Sequence, residues 1–377
     1  MIVGIDASRA FSEQKTGTEN YSYQLIKSIA KLDSHHSYLL YTRKVGEEEV
    51  KKAFNWSNIP QNITIRNITF TRLWTQLGLA SEVVFNPPDT LFIPAHTLPV
   101  LRSPKIKTVV TIHDLGYEFL PQYHQFPHKL YLNKSTEYAV AQASRLIAVS
   151  QSTKKDLIKK LNCPEGKIEV IYEGYDKSIY NLQCTMYKRN EVLRKYNLDK
   201  PFILFVGTLQ PRKNIVRLIE AFSLIASSFK EPVELVIAGN KGWMYEEILA
   251  APKKYRIENL VKFLGYTTEE DLPVLYSSTL CFCLPSLFEG FGLPVLEAMA
   301  CGCPVLVSRT SSLPEVAGDA GIYVDPLNTQ EIAKNLQSII SSNNLRLLKR
   351  KQSLEQAQKF SWEKCAEETI GLFERLI

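Results

Sequence analysis

Pro285-Ser286-Leu287-Phe288-Glu289-Gly290-Phe291-Gly292-Leu293-Pro294-Val295-Leu296-Glu297-Ala298-Met299-Ala300-Cys301-Gly302 decides how the rest of the chain is read. It follows an apolar run, Leu280 to Leu284, that reads as a buried strand. It then passes through a glycine-bracketed turn into a helix. Pro294 suits a first helical position, where its missing N–H would have no partner anyway. Gly302 suits the left-handed stop. Glu289 therefore falls in the loop above the strand, and Glu297 about one turn into the helix. A strand, a glycine-rich loop and a helix N-terminus make an anion site, because free N–H groups and the helix dipole point at one spot. Two carboxylates beside a diphosphate are poor phosphate ligands but good acceptors for sugar hydroxyls. Together they suggest a nucleotide-sugar.

Outward from this stretch the chain alternates strands and helices. Toward the N-terminus, strands are expected at Ile2 to Ala7, Tyr38 to Thr42, Ile63 to Ile68, Thr90 to Ile93, Lys107 to Ile112, Arg145 to Val149 and Lys167 to Tyr172. Helices are expected at Tyr21 to Leu32, Leu73 to Val83, His128 to Ala143 and Lys154 to Leu161, with Thr16-Gly17-Thr18-Glu19-Asn20 as a polar loop. A second series opens with the strand Phe202 to Val206 and runs through Val233 to Ala238, Val261 to Leu264, Pro304 to Val307 and Gly321 to Val324. Its helices are expected at Asn214 to Phe229, Gly242 to Leu249, Thr268 to Tyr276, Thr329 to Ile340 and Asn344 to Phe360. Thr267 to Glu270 has a capping-box pattern. Such alternation predicts mostly parallel sheets covered on both faces, with sites at the carboxyl ends of the strands. The predicted organisation is a domain at 1–174, a linker at 175–200 with one short helical piece near Glu191 to Tyr196, a second domain at 201–360 and an amphipathic helix at 361–377.

A chain of 377 residues fits two or three domains. Its net charge of +6 is mildly basic, well short of a nucleic-acid tail, and fits anionic ligands or loose contact with an anionic membrane surface. No apolar run is long enough to span a membrane, and no secretory pattern opens the sequence, so the cytosol is the expected compartment. Seven cysteines without a CxxC read as buried free thiols, with neither disulfides nor a structural metal expected. No G-x-G-x-x-G follows the first strand, which argues against a nicotinamide dehydrogenase.

Glu289 and Glu297, separated by seven residues, together with Phe288-Glu289-Gly290-Phe291-Gly292-Leu293-Pro294 and Gly302-Cys303-Pro304-Val305, resemble the E-x7-E region of the family 4 retaining glycosyltransferases. The resemblance covers essentially the whole chain and is most specific over residues 202 to 326. It implies an α/β GT-B fold: two doubly wound Rossmann-like domains facing across a cleft, donor in the second, acceptor mainly in the first. The terminal helix would cross back onto the first domain.

The resemblance also implies roles for particular residues. Glu289 would accept hydrogen bonds from sugar hydroxyls, with the backbone of Phe291 and Gly292 completing the sugar pocket; Gly290 and Leu293 would also bind the donor, and Glu297 would bind the ribose. Arg212 and Lys213, in Gly207-Thr208-Leu209-Gln210-Pro211-Arg212-Lys213-Asn214, resemble donor-phosphate residues. Two fixed cations would stabilise a departing diphosphate without a metal, Arg as a fork and Lys as a point charge. Gly239, Gly265 and Tyr266 resemble the segments that hold the base. Gly17 resembles the glycine of a loop near the donor phosphates, where relatives often carry more than one glycine. Glu19 and Asn20 either touch the acceptor or start the helix. His113 would sit beside the reacting sugar; Asp114 holds the ring, holds the loop or takes part in chemistry. The run Lys154, Lys155, Lys159 and Lys160 reads as a solvated face or as a contact with anionic lipid.

The function expected is a metal-independent, retaining transfer of a hexose from a nucleoside diphosphate sugar to a hydroxyl of a glycan or lipid-linked glycan. The catalytic set is His113, Glu289, Arg212 and Lys213. The text around Glu289 and His113-Asp114-Leu115 resembles bacterial mannosyltransferases, which puts GDP-mannose first and UDP-glucose or a related UDP-hexose second as donor. A non-catalytic sugar-nucleotide-binding subunit is the alternative from another class.

Overall fold

The computed structural model describes residues 1–12, 16–70, 73–116, 128–181 and 186–376. These divide into two units, the first taking 1–116, 128–174 and 361–376, the second 175–181 and 186–360.

In the first unit, strands β1 (Ile2–Asp6), β2 (Ser37–Arg43), β3 (Ile63–Ile68), β4 (Thr90–Ile93), β5 (Lys107–Ile112), β6 (Arg145–Ala148) and β7 (Ile168–Val170) form one parallel sheet in the order β3-β2-β1-β4-β5-β6-β7. Their interiors are almost continuously apolar, as strands covered on both faces must be. Val3, Ile5, Val109, Val110 and Ile112 are inaccessible to solvent. The order reverses between β1 and β4, so the loops leaving these two strands diverge and open a crevice at their carboxyl ends. The helix Trp362–Glu374 belongs to this unit, packing along the helix Gly17–Leu32 with Tyr21 edge-on to Trp362 at 5.8 Å.

In the second unit, β8 (Phe202–Val206), β9 (Glu234–Ala238), β10 (Val261–Gly265), β11 (Phe282–Leu284), β12 (Val305–Ser308) and β13 (Gly321–Val324) run parallel in the order β10-β9-β8-β11-β12-β13. The reversal falls between β8 and β11. The segment 175–200, expected to form a linker with one short helical piece near Glu191 to Tyr196, carries the longer helix Met186–Lys195, and its described residues are anchored in this unit. Val192 and Leu198 are buried, and the Asp271 carboxylate accepts from Lys195 Nζ (2.6 Å) and the Tyr196 hydroxyl (2.9 Å).

Several local expectations are corrected. Thr16–Asn20 is no loop: the helix starts at Gly17, because the Glu19 carboxylate reaches back to the Thr16 backbone N–H (3.3 Å) and hydroxyl. Thr267–Glu270 does not cap a helix, which begins at Leu272 with Pro273 in its first turn. The helix expected at Gly242–Leu249 runs from Glu246 to Lys254, and the helix Glu47–Phe54 was not anticipated. Six cysteines are free and buried; Cys184 lies outside the described residues.

Candidate active site

The reversal of strand order explains why two loops far apart in sequence meet. The loop leaving β8 carries Arg212 and Lys213 on a tight turn, Pro211–Lys213. The loop leaving the neighbouring strand β11 carries Glu289. Asn214 fastens the two, its side-chain amide donating to the carbonyls of Pro285 (3.0 Å) and Pro326 (2.6 Å), while the Leu287 N–H donates to the Arg212 carbonyl (2.8 Å).

Within this frame Glu289 Oε1 accepts from Lys213 Nζ at 2.7 Å and from Ser286 Oγ at 2.6 Å, while Oε2 accepts from Arg212 Nη1 at 2.9 Å. Arg212 also donates to the Phe288 carbonyl at 3.0 Å. Glu289 and Lys213 are 5% and 7% exposed, so neither charge is met by bulk water. Burial alone would raise the pKa of Glu289, but Lys213 and Arg212 overcome it and bring it down to about 2. The carboxylate thus stays ionised at every ordinary pH.

The backbone of Phe288–Leu293 is fixed from the loop after β12. Ser311 Oγ accepts from the Glu289 N–H (3.0 Å), and Ser312 Oγ donates to the carbonyls of Glu289 (3.0 Å) and Phe291 (2.9 Å). Gly292 then enters the helix Leu293–Ala300 at φ +109, where an added Cβ would also lie 2.8 Å from Leu313 Cδ2. Phe291 and Leu293 are buried, Phe291 edge-on to Phe360 at 5.8 Å.

Glu297, in that helix, is 9% exposed and accepts from the Tyr276 hydroxyl at 3.3 Å. Burial first, then Glu297, pushes the Tyr180 and Tyr276 hydroxyls far above the ordinary range, so both remain donors. Gly239 and Gly265 close the ends of β9 and β10, the Gly239 N–H donating to the Gly265 carbonyl at 2.7 Å. An added Cβ on Gly239 would lie 2.0 Å from the Gly207 carbonyl oxygen, so glycine alone lets the ends of β8 and β9 meet. Tyr266 is 56% exposed beside them.

In the first unit, His113 stands at the carboxyl end of β5. Its Nε2 is 2.9 Å from the Pro94 carbonyl oxygen and its Nδ1 3.2 Å from Glu173 Oε1, and Tyr21 meets the ring edge-on at 4.8 Å. Asp114 Oδ1 accepts from the Gly116 N–H at 2.9 Å, a contact that holds the loop. A cavity of about 330 Å³ opens at the strand ends, lined among others by Asp6, Arg9, Glu19, Arg43 and Trp74. Arg9 pairs with Glu19 at 2.9 Å. Asn20 contacts Thr16 within the first helical turn, and an added Cβ on Gly17 would meet nothing within 4 Å. Lys154 pairs with Glu165 at 2.9 Å, whereas Lys155, Lys159 and Lys160 are exposed. Among the described residues no helix is long and apolar enough to cross a membrane, and no three His, Cys, Asp or Glu side chains gather as metal ligands do.

The structure thus brings Arg212, Lys213 and Glu289 into one cluster. Sequence reasoning missed Ser286, Ser312, Tyr180, Tyr276 and Glu173. Ser286 was legible by its place three residues before Glu289. The others come from distant segments that only the folded sheet brings near.

A Glycosyltransferase Family 4 model matches residues 15–178, and a Glycosyl transferases group 1 model matches residues 188–359. The chain is 34% identical over 369 residues to the O-antigen chain mannosyltransferase B of Escherichia coli, spanning 96% of each chain. The chain belongs to glycosyltransferase family 4. As a family 4 glycosyltransferase it is a hexosyltransferase enzyme. The fold is GT-B. Among solved structures, sucrose-phosphate synthase from Thermosynechococcus elongatus has a TM-score of 0.78 at 19% identity, covering 100% of this chain and 99% of the other. Anabaena HepE in complex with UDP-glucose has a TM-score of 0.75 at 19% identity, covering 99% of each chain.

Proposed function

We propose that this glycosyltransferase takes a hexose from a nucleoside diphosphate sugar and transfers it, with retention and without a metal ion, to a hydroxyl of a glycan or lipid-linked glycan. One observation carries this reading: Arg212 and Lys213 meet Glu289 at the reversal between β8 and β11. Two cations and one carboxylate in contact provide for both parts of such a donor, the diphosphate and the sugar hydroxyls. In this reading a bound donor draws Arg212 and Lys213 onto its phosphates and frees Glu289 to accept from the sugar. Glu297, already steadied by Tyr276, takes the ribose hydroxyls. Gly239, Gly265 and Tyr266 border the base, and the backbone of Gly290–Leu293 the sugar.

The reaction breaks the bond from the anomeric carbon to the phosphate oxygen and forms one to the acceptor oxygen. Attack on the same face lets the departing phosphate take the acceptor proton, while the two cations stabilise its developing charge. The polar cavity beside Asp6, Arg9, Glu19 and Arg43 has the mixed donors and acceptors that a sugar acceptor needs, and Gly17 leaves the helix start open to a ligand. His113 works on the same reaction from the end of β5.

GDP-mannose is the first donor proposed, in keeping with the mannosyltransferase similarity. A UDP-hexose is the second, favoured by the UDP-glucose complex of a protein with the same fold. The test is thermal shift and nucleotide release with GDP-, UDP- and ADP-hexoses in the presence of EDTA. Stabilisation and slow hydrolysis with one donor supports the proposal. No response to any donor defeats it, and turnover only after metal is restored defeats the metal-independent part.

A further inference from the structure

His113 has both ring nitrogens turned to protein acceptors. The Pro94 carbonyl oxygen, 2.9 Å from Nε2, can only accept, so Nε2 carries a proton. Nδ1 faces the Glu173 carboxylate at 3.2 Å, and Glu173 is 5% exposed. Among the described residues no Lys or Arg pairs with Glu173, so His113 is its counter-charge. A bare lone pair on Nδ1 against a buried carboxylate would be repulsive and would leave that charge uncompensated.

We infer that Glu173 is a positioning residue that holds His113 as a doubly protonated imidazolium, a fixed cation at the end of β5 and not a proton-accepting base. This rests on the reading that His113 serves the transfer. The surroundings agree. Burial by itself would lower the pKa of the ring, but Glu173 reverses this, helped by the Pro94 carbonyl and Asp114, and the net displacement is upward. The Tyr21 ring stands perpendicular to the imidazole, with its hydroxyl at Thr111 Oγ1 (3.2 Å), and burial keeps that hydroxyl protonated. Cys365, from the helix Trp362–Glu374, is likewise pushed up by burial and then by Glu173, and stays a neutral thiol. Among the described residues, Glu173 and Asp114 are the carboxylates that act on the ring.

The test is the protonation of His113 itself. With 15N-labelled histidine and the H113N variant for assignment, both ring nitrogens of the parent are expected to show the imidazolium signature near pH 7. In Glu173→Gln the ring is expected to be neutral there. The fall of kcat/KM with rising pH is then expected to move about one pH unit or more to lower pH. Glu173→Asp keeps the carboxylate and is expected to restore the parent profile in part. A neutral His113 in the parent, or a Glu173→Gln profile that differs from the parent's only in height, overturns the inference. The resonance measurement needs no turnover, so an absence of transfer with every donor would count against the proposed function and not against this proton assignment.

Discussion

The ammonium of Lys213 and the carboxylate of Glu289 lie 2.7 Å apart, in side chains that come from loops 76 residues apart in the chain and are both almost completely buried. With Arg212 on the other carboxylate oxygen, the positive charges proposed for the donor diphosphate are neutralised from within the site.

Lys213→Ala leaves Glu289 with only Arg212 and Ser286. Breaking a buried pair costs about 3–5 kcal/mol when the remaining charge has no other partner, and about 2 kcal/mol is expected here. Transfer is expected to fall about 100-fold or more through the lost stabilisation of the leaving group. Urea unfolding and initial rates check the two effects separately, and a rate within a few-fold of the parent would remove Lys213 from the proposed machinery.

Glu289→Gln is expected to act in opposite directions on binding and on turnover. The amide no longer holds the two cations, so GDP or UDP alone is expected to bind about 5- to 10-fold more tightly, in line with a coupling of 1–1.4 kcal/mol. Transfer is still expected to drop, because the sugar hydroxyls would lose the charged acceptor proposed for them. Isothermal titration with the nucleoside diphosphate decides it, and weaker binding would show that the carboxylate does not compete with phosphate.

The low pKa of Glu289 makes a statement about acid stability. Brought from an ordinary 4.5 to about 2, the group contributes about 3 kcal/mol that is fully present above pH 4.5 and is lost as the pH falls toward 2. The parent is expected to lose more stability between pH 5 and pH 3 than Glu289→Gln does. Urea midpoints at the two pH values measure the difference, and equal losses would contradict it.

Gly292→Ala places a side chain at positive φ and within 2.8 Å of Leu313 Cδ2. A destabilisation of about 1–3 kcal/mol is expected. Thermal unfolding checks it, and a change under about 0.5 kcal/mol would mean that the turn gives way without cost.

Tyr276→Phe removes the hydroxyl that steadies Glu297 and leaves the ring in place. The donor KM is expected to rise about 3- to 10-fold with kcat little changed, since the ribose contact proposed for Glu297 would be the same in ground and transition states. A fall in kcat at constant KM would move Glu297 from binding toward chemistry.

Much of this was legible before any coordinates. The alternation of strands and helices follows from apolar runs that have to be buried on both faces, and the thirteen strands among the described residues fall close to their expected places. Glu289 and Glu297 could be placed because glycine and proline punctuate their turn and helix. The start of the first helix was hidden because Thr16-Gly17-Thr18-Glu19 reads equally as loop and as capping box, and only the reach of Glu19 decides. The helix Met186–Lys195 was legible only in part, as a short piece near Glu191 to Tyr196, because its apolar positions are few and many of the others are charged. Glu173 could not be seen at all: its meaning depends on the adjacent ends of β4 and β5, and no local pattern encodes that neighbourhood.

The reversal of strand order between β8 and β11 also bears on how the second unit is made. Its cluster joins segments on either side of a seam that closes only when β11 finds β8 across the intervening β9 and β10. The chain entropy of that long closure is lost before Glu289 can meet Lys213. On this ground the ion pair is expected to form late in folding. Substitutions there would be felt chiefly as faster unfolding, with the rate of folding nearly unchanged. A half-made second unit would hold the loops of β8 and β11 without the charge arrangement that joins them.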